Sequence, residues 1–175
     1  MKIYISCGFY VGRDLDYYAP LMDESWVVYA FEPNTELNVE ESIKRFPFKV
    51  QWLKKAVWVE DGEVEFVLDG RDDASHISEL RTNQDRKITV SCIDFSRFVA
   101  ELPKDATIVV SMDCEGAEFP ILEKMLVEGT AQRIALLDIE FHNRLLEDKT
   151  RDDASNLRIR LESEGILVKE KVEPS

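Results

Sequence analysis

The chain has 175 residues, 45% hydrophobic and 33% charged, enough apolar sequence for one domain with its own core over residues 1–175. Its 35 acidic and 22 basic side chains give a formal net charge of −13, which opposes nucleic acid and anionic membrane surfaces as partners. No apolar run approaches the roughly 20 residues that span a bilayer, and no signal-peptide pattern opens the chain.

The three cysteines, Cys7, Cys92 and Cys114, form no CxxC pair and lie in or beside apolar runs, so buried free thiols in a reducing, cytoplasmic setting are expected. In chain order, Lys2–Cys7 reads as a short strand, followed by Gly8-Phe9-Tyr10-Val11-Gly12. Leu15, Tyr18 and Met22 share a helical spacing, with Pro20 in its first turn or kinking it. Trp26–Phe31 is apolar throughout, as a strand buried on both faces requires, and ends in Glu32-Pro33-Asn34. Asn34 is a plausible N-cap for a helix carrying Val39, Ile43 and Phe46, which Pro47 stops.

Val50–Val59 has strand character, Glu60-Asp61-Gly62 is a turn, and Glu63–Leu68 alternates, so a β-hairpin is expected. Asp69–Lys87 is polar and reads as a surface loop able to act as a lid. Ile88–Ile93 is another strand, and Asp94 caps a helix with Phe95, Phe98, Val99 and Leu102 on one face. The strand Ile108–Met112 then delivers Asp113, Glu115 and Glu118, with Gly116 allowing the turn. A helix from about Ala117 to Glu128 tolerates Pro120 in its first turn, and Gly129 ends it. Arg133–Phe141 is a second central strand, ending in Glu140 and His142. A helix over Asp152–Glu164 and a last strand over Ile166–Val172, suited to a sheet edge, complete the chain. Alternating strands and helices predict an α/β sandwich around a mainly parallel sheet, with a hairpin insertion and a switch point beside the first strand.

Two features point to a nucleotide-bearing cofactor. Gly8 and Gly12 flank the first strand–helix turn, where backbone can approach a ligand, but Tyr10 stands where a dinucleotide fingerprint has its middle glycine. Glu32 ends the second strand, where a carboxylate offers two acceptor oxygens to a ribose diol. On the opposite side, Asp113, Glu115, Glu140 and His142 are candidates for the reaction, with His142 first and Asp113 second as a general base. Asp113, Glu140 and His142 are also capable of holding a divalent cation, but nothing in the spacing requires it and no metal is expected. His76 reads as a solvent residue, and Trp26, Trp52 and Trp58 as packing.

The segments VYAFEPN (Val28–Asn34), Ala56-Val57, VSCID (Val90–Asp94), SMDCEGAE (Ser111–Glu118) and IEFH (Ile139–His142) resemble, in order and spacing, the blocks of the FkbM-type S-adenosylmethionine-dependent methyltransferases. The resemblance covers nearly the whole chain. It implies a Rossmann-like class I methyltransferase fold and transfer of a methyl group from S-adenosylmethionine to a hydroxyl of a sugar or small metabolite. It puts Gly8, Gly12, Glu32, Asn34, Ala56, Val57 and Asp113 on the cofactor, Ala56-Val57 near the adenine, and Asp113 and Glu115 at the reacting centre. A homodimer is compatible with it. The first block departs from the family's usual pattern, with Ser6 in place of an acid and Phe9, Tyr10 and Val11 in place of small or amide-bearing residues. A degenerate, non-catalytic binding domain is the alternative that these departures favour, and a nicotinamide-dependent oxidoreductase is a more distant one.

Overall fold

The computed structural model describes residues 1–68, 75–80 and 86–171. Among these the strands are β1 (Lys2–Cys7), β2 (Trp26–Phe31), β3 (Val50–Leu53), β4 (Ala56–Trp58), β5 (Gly62–Leu68), β6 (His76–Ile77), β7 (Arg86–Asp94), β8 (Thr107–Met112), β9 (Ile134–Ile139) and β10 (Leu167–Glu170). The α-helices are α1 (Arg13–Tyr18), α2 (Val39–Ile43), α3 (Phe95–Glu101), α4 (Glu118–Glu128) and α5 (Arg151–Ser163).

Six strands form one parallel sheet in the order β3-β2-β1-β8-β9-β10. Its central strands are apolar on both faces because both faces are covered. Ile3, Ile5 and Cys7 of β1 join the larger apolar cluster with α3, α4 and α5, whereas Tyr4 joins a smaller one with Leu15 of α1 and Val39 of α2. Each such side chain taken fully out of water contributes roughly 1.5–3 kcal/mol. The chain leaves β1 toward β2 on one side and later returns as β8 on the other. Cys7 pairs level with Phe31 and with Met112, so the three carboxyl ends open together at this reversal.

The insertion is a second, four-stranded sheet in the order β4-β7-β5-β6. The turn at Glu60-Asp61-Gly62 does not close a hairpin between the strands flanking it. β7 lies between them, so Cys92 faces Ala56 on one side and Gly62 on the other. The antiparallel pairs of the insertion are β5 with β7 and β5 with β6. Neighbours in sequence are neighbours in a sheet only about two times in three, and alternation alone does not say which strand intervenes. Lys54 and Lys55 separate the two sheets within the run Val50–Val59.

Helix ends follow their caps. Asp94 accepts the Arg97 N–H at 3.1 Å, and Thr150 and Asp153 form a capping box at α5. Pro20 ends α1 and lies in a 3₁₀ turn, Ala19–Leu21. Asn34 does not cap α2, whose N-cap is Asn38. The Asn34 side chain instead accepts the Glu36 N–H at 3.0 Å and holds a turn, while its own N–H is taken by Glu32. β10 lies at the sheet edge, and Val172 is outside the described residues.

Candidate active site

At the carboxyl ends of β1, β2, β8 and β9 lies a cavity of about 500 Å³. One wall is built by the turn after β1. Gly8 and Phe9 both give their N–H groups to the Phe31 carbonyl, at 3.2 and 2.9 Å, which bends the chain away from the sheet. Gly8 has φ +78, and a β-carbon there would stand 1.9 Å from the Asp113 carbonyl oxygen, so only glycine lets this turn pack on the end of β8. Phe9 is buried in the smaller apolar cluster with Tyr4 and Leu15 and also lines the cavity. Tyr10 adopts a left-handed conformation, φ 51, and its N–H donates to Glu32 Oε2 at 2.8 Å.

Glu32 is thus held at both oxygens, since Oε1 accepts the Asn34 N–H at 2.8 Å. Each oxygen keeps a second lone pair for a ligand. Burial pushes this carboxyl up to about 7, against the two backbone hydrogen bonds, which favour its charged form. Trp52 donates its indole N–H to the Glu32 carbonyl at 3.0 Å and fixes the backbone behind it. Beside Glu32 the wall is apolar, formed by Phe31, Ala56, Val57, Phe66 and Ile77.

The opposite wall is the turn after β8, organised by Glu118. Its side chain is fully buried, and it accepts the N–H groups of Cys114 at 2.7 Å and Gly116 at 2.8 Å. Glu115 takes φ 53 to allow this. His142, 4% exposed after β9, places Nδ1 3.0 Å from Glu118 Oε1. Its Nε2 stands 3.6 Å from Asp113 Oδ1, from Glu115 Oε1 and from Glu140 Oε1. The four residues read from the sequence as reaction candidates are therefore one cluster, lining the cavity.

Their protonation differs from the expectation for His142. Burial works against its charge, but the hydrogen bond and charge of Glu118, with Glu115 and Asp113, outweigh it and hold the imidazole near 9. Held in this way, His142 keeps its proton at neutral pH among carboxylate neighbours. Burial raises Asp113 to about 6, offset in part by Lys171 and His142, and raises Glu140, assisted by the charge of Asp113.

The family whose description reads "Methyltransferase FkbM domain" matches residues 6–165. The chain belongs to the FkbM methyltransferase family. No curated protein and no solved structure matches it.

Within this FkbM domain, Gly8, Glu32, Ala56, Val57, Asp113, Glu115, Glu140 and His142 all line the cavity, whereas Gly12 and Asn34 do not. Gly12, φ +82, packs on the Phe9 ring and starts α1; Asn34 acts through its backbone on Glu32. Ser6 is buried in β1, off the cavity wall. A different acid lines the cavity near that position. Asp14, in the first turn of α1, accepts from Ser111 Oγ at 2.8 Å and from Lys171 at 2.5 Å. Neither Asp14 nor Lys171 carries a motif, and their meeting spans 157 residues. His76 is buried in β6 rather than in solvent. Trp58 is core, and Trp26 and Trp52 are half-buried. Of the segment Asp69–Lys87, expected to act as a lid, Ser75 and Ile77 reach the wall, as do Arg144 and Leu145 after β9, and 69–74 and 81–85 lie outside the described residues. No described helix is long and apolar enough to cross a membrane.

Proposed function

We propose that this FkbM domain transfers a methyl group from S-adenosylmethionine to a hydroxyl of a sugar or other small metabolite. The supporting observation is one cavity with Glu32 and an apolar wall at one end and the Asp113–Glu140–His142 cluster at the other. The donor set fits the cofactor. Glu32 offers two oxygens to a ribose diol, Ala56 and Val57 offer a surface for a flat base, and Asp14 and Asp113 offer carboxylates to an ammonium group. When bound, S-adenosylmethionine supplies a methyl group made electrophilic by a sulfonium.

The protein's own part is alignment and proton removal. Asp113, near 6, is mostly ionised at neutral pH and accepts the hydroxyl proton as the oxygen attacks. His142, protonated and fixed by Glu118, keeps the surrounding carboxylates from repelling one another. A cytoplasmic location accords with the free thiols of Cys7 and Cys92, both buried.

Calorimetry with S-adenosylmethionine and S-adenosylhomocysteine tests the reading. Binding of both is expected, weakened at least about tenfold by Glu32→Ala, the order of magnitude of a lost charge-assisted hydrogen bond. Asp113→Asn should lower methyl transfer far more than cofactor affinity. No binding by the wild-type chain at millimolar cofactor would leave a non-catalytic domain.

A further inference from the structure

The wall opposite Glu32 has a geometry that proton transfer alone does not call for. His142 is 4% exposed, and its Nδ1 is committed to Glu118. Its other nitrogen, Nε2, makes no hydrogen bond to any described residue, although it is aimed at three carboxylate oxygens, each 3.6 Å away. His142 lines the cavity, and each of the three oxygens stands just too far from Nε2 for a hydrogen bond.

That spacing suits something between them. Donor atoms around a cation with bonds of roughly 2.1 Å lie about 3.0 Å apart at right angles and about 4.2 Å apart when opposite. One ligand atom each from Asp113, Glu115 and His142 lies within 4.8 Å of the others, so a contraction of roughly 0.6 Å brings the set to these spacings. Glu140 Oε1 lies 3.6 Å from the same nitrogen, beside this set. The outer partner is also in place. A metal-binding histidine commonly gives its second N–H to a carboxylate, which fixes the ring and its tautomer. Glu118 does this while anchored by the N–H groups of Cys114 and Gly116, and an ion bound at Nε2 displaces the proton which that nitrogen carries in the empty site.

We infer that Asp113, Glu115 and His142, with Glu140 beside them, form a binding site for one divalent first-row cation of the manganese type. Carboxylates favour magnesium and manganese, and an imidazole favours transition metals, so the mixed set favours an ion that accepts both. The ligand atoms line the cavity, so positions left open on the ion face the acceptor, where an oxygen donor would coordinate. The second oxygen of Asp113, Oδ2, faces Lys171 at 3.9 Å. The ion's part in methyl transfer rests on the proposed function; its binding does not.

The test titrates chelator-treated protein with Mn²⁺ alone and follows the paramagnetic resonance of the free aqua ion. Loss of signal equal to one ion per chain is expected, with Glu115→Gln weakening binding at least tenfold and Glu24→Gln, an exposed acid far from the site in sequence, leaving it unchanged. Asp113→Asn gives the same reading should Glu115→Gln fail to fold. Absence of binding at millimolar Mn²⁺, or equal loss in the Glu115 and Glu24 variants, overturns the site. Cofactor calorimetry in chelator fails or succeeds independently of this result.

Discussion

Glu118 and His142, 24 residues apart, meet through a 3.0 Å contact at the base of the cavity, and the same carboxylate ties down the turn after β8. One buried side chain therefore sets both the path of the Asp113–Ala117 turn and the orientation of the imidazole. Glu118→Gln keeps the shape but removes the charge and leaves an amide N–H₂ facing donors. Breaking a buried charge pair costs about 3–5 kcal/mol. A loss of that order in denaturant unfolding is expected, together with a His142 titration, followed by NMR, displaced below its wild-type position near 9. An unchanged titration would mean that Glu118 does not set the charge of His142.

Glu32, Asp113 and His142, like Glu140 beside them, are displaced upward on the cavity wall. Glu32 rises from 4.5 to about 7, Asp113 from 3.8 to about 6, and His142 from 6.5 to about 9. In each case the folded chain binds its proton more tightly than the unfolded chain. Their contribution to stability is thus full at low pH and is lost as pH rises, first through the carboxyls and then through His142. Without ligand, the urea midpoint should fall steadily from about pH 5 to about pH 9, and His142→Gln should flatten the upper part of that fall. A midpoint that rises over this range would contradict the assigned charges.

Most of the fold was readable because its signals are local. The apolar runs of β1, β2 and β8, Asp94 before α3, and Gly129 after α4 each mark an element from neighbouring residues alone. The order of the second sheet was not readable, because nothing in β4 or β5 records that β7 separates them. At the site, Glu32, Asp113, Glu140 and His142 were legible as polar residues at the ends of buried strands. Glu118 was visible as an acid, but its full burial depends on His142 and on backbone donors that only the turn brings near. Asp14 and Lys171 join from opposite ends of the chain, a contact without a sequence signal.

Gly8 carries a constraint that is steric rather than chemical. Its missing side chain is what allows the turn after β1 to rest on the Asp113 carbonyl, 1.9 Å from where a β-carbon would lie. Gly8→Ala must move backbone on both sides of the cavity and also strain a residue at φ +78. A loss of about 2–4 kcal/mol is expected from these combined effects. Because Asp113 moves with Gly8, ligand affinity should fall in the same variant even where it remains folded. Gly129→Ala offers the comparison: its φ is +69 but no atom lies within 4 Å of the added carbon, so only the conformational cost of roughly 1–2 kcal/mol remains. Equal losses for the two would show that the contact with Asp113 adds nothing.

Asp94 joins three elements away from the cavity. One oxygen caps α3 through Arg97, and the other accepts from Lys124 of α4 at 2.6 Å, while Lys124 also reaches the Val59 carbonyl at 2.6 Å beside the second sheet. The pair is partly shielded, with side-chain exposures of 26% for Lys124 and 16% for Asp94. Asp94→Ala removes both the cap, worth about 1 kcal/mol, and a charge-assisted bond of similar size, so a loss of about 2 kcal/mol is expected. Asp94→Asn keeps an acceptor for the Arg97 N–H and should lose about half as much, since asparagine caps helices as well as aspartate does. Chemical unfolding of the two variants separates the contributions. If the asparagine variant falls as far as the alanine variant, the tie to Lys124, not the cap, is what Asp94 supplies.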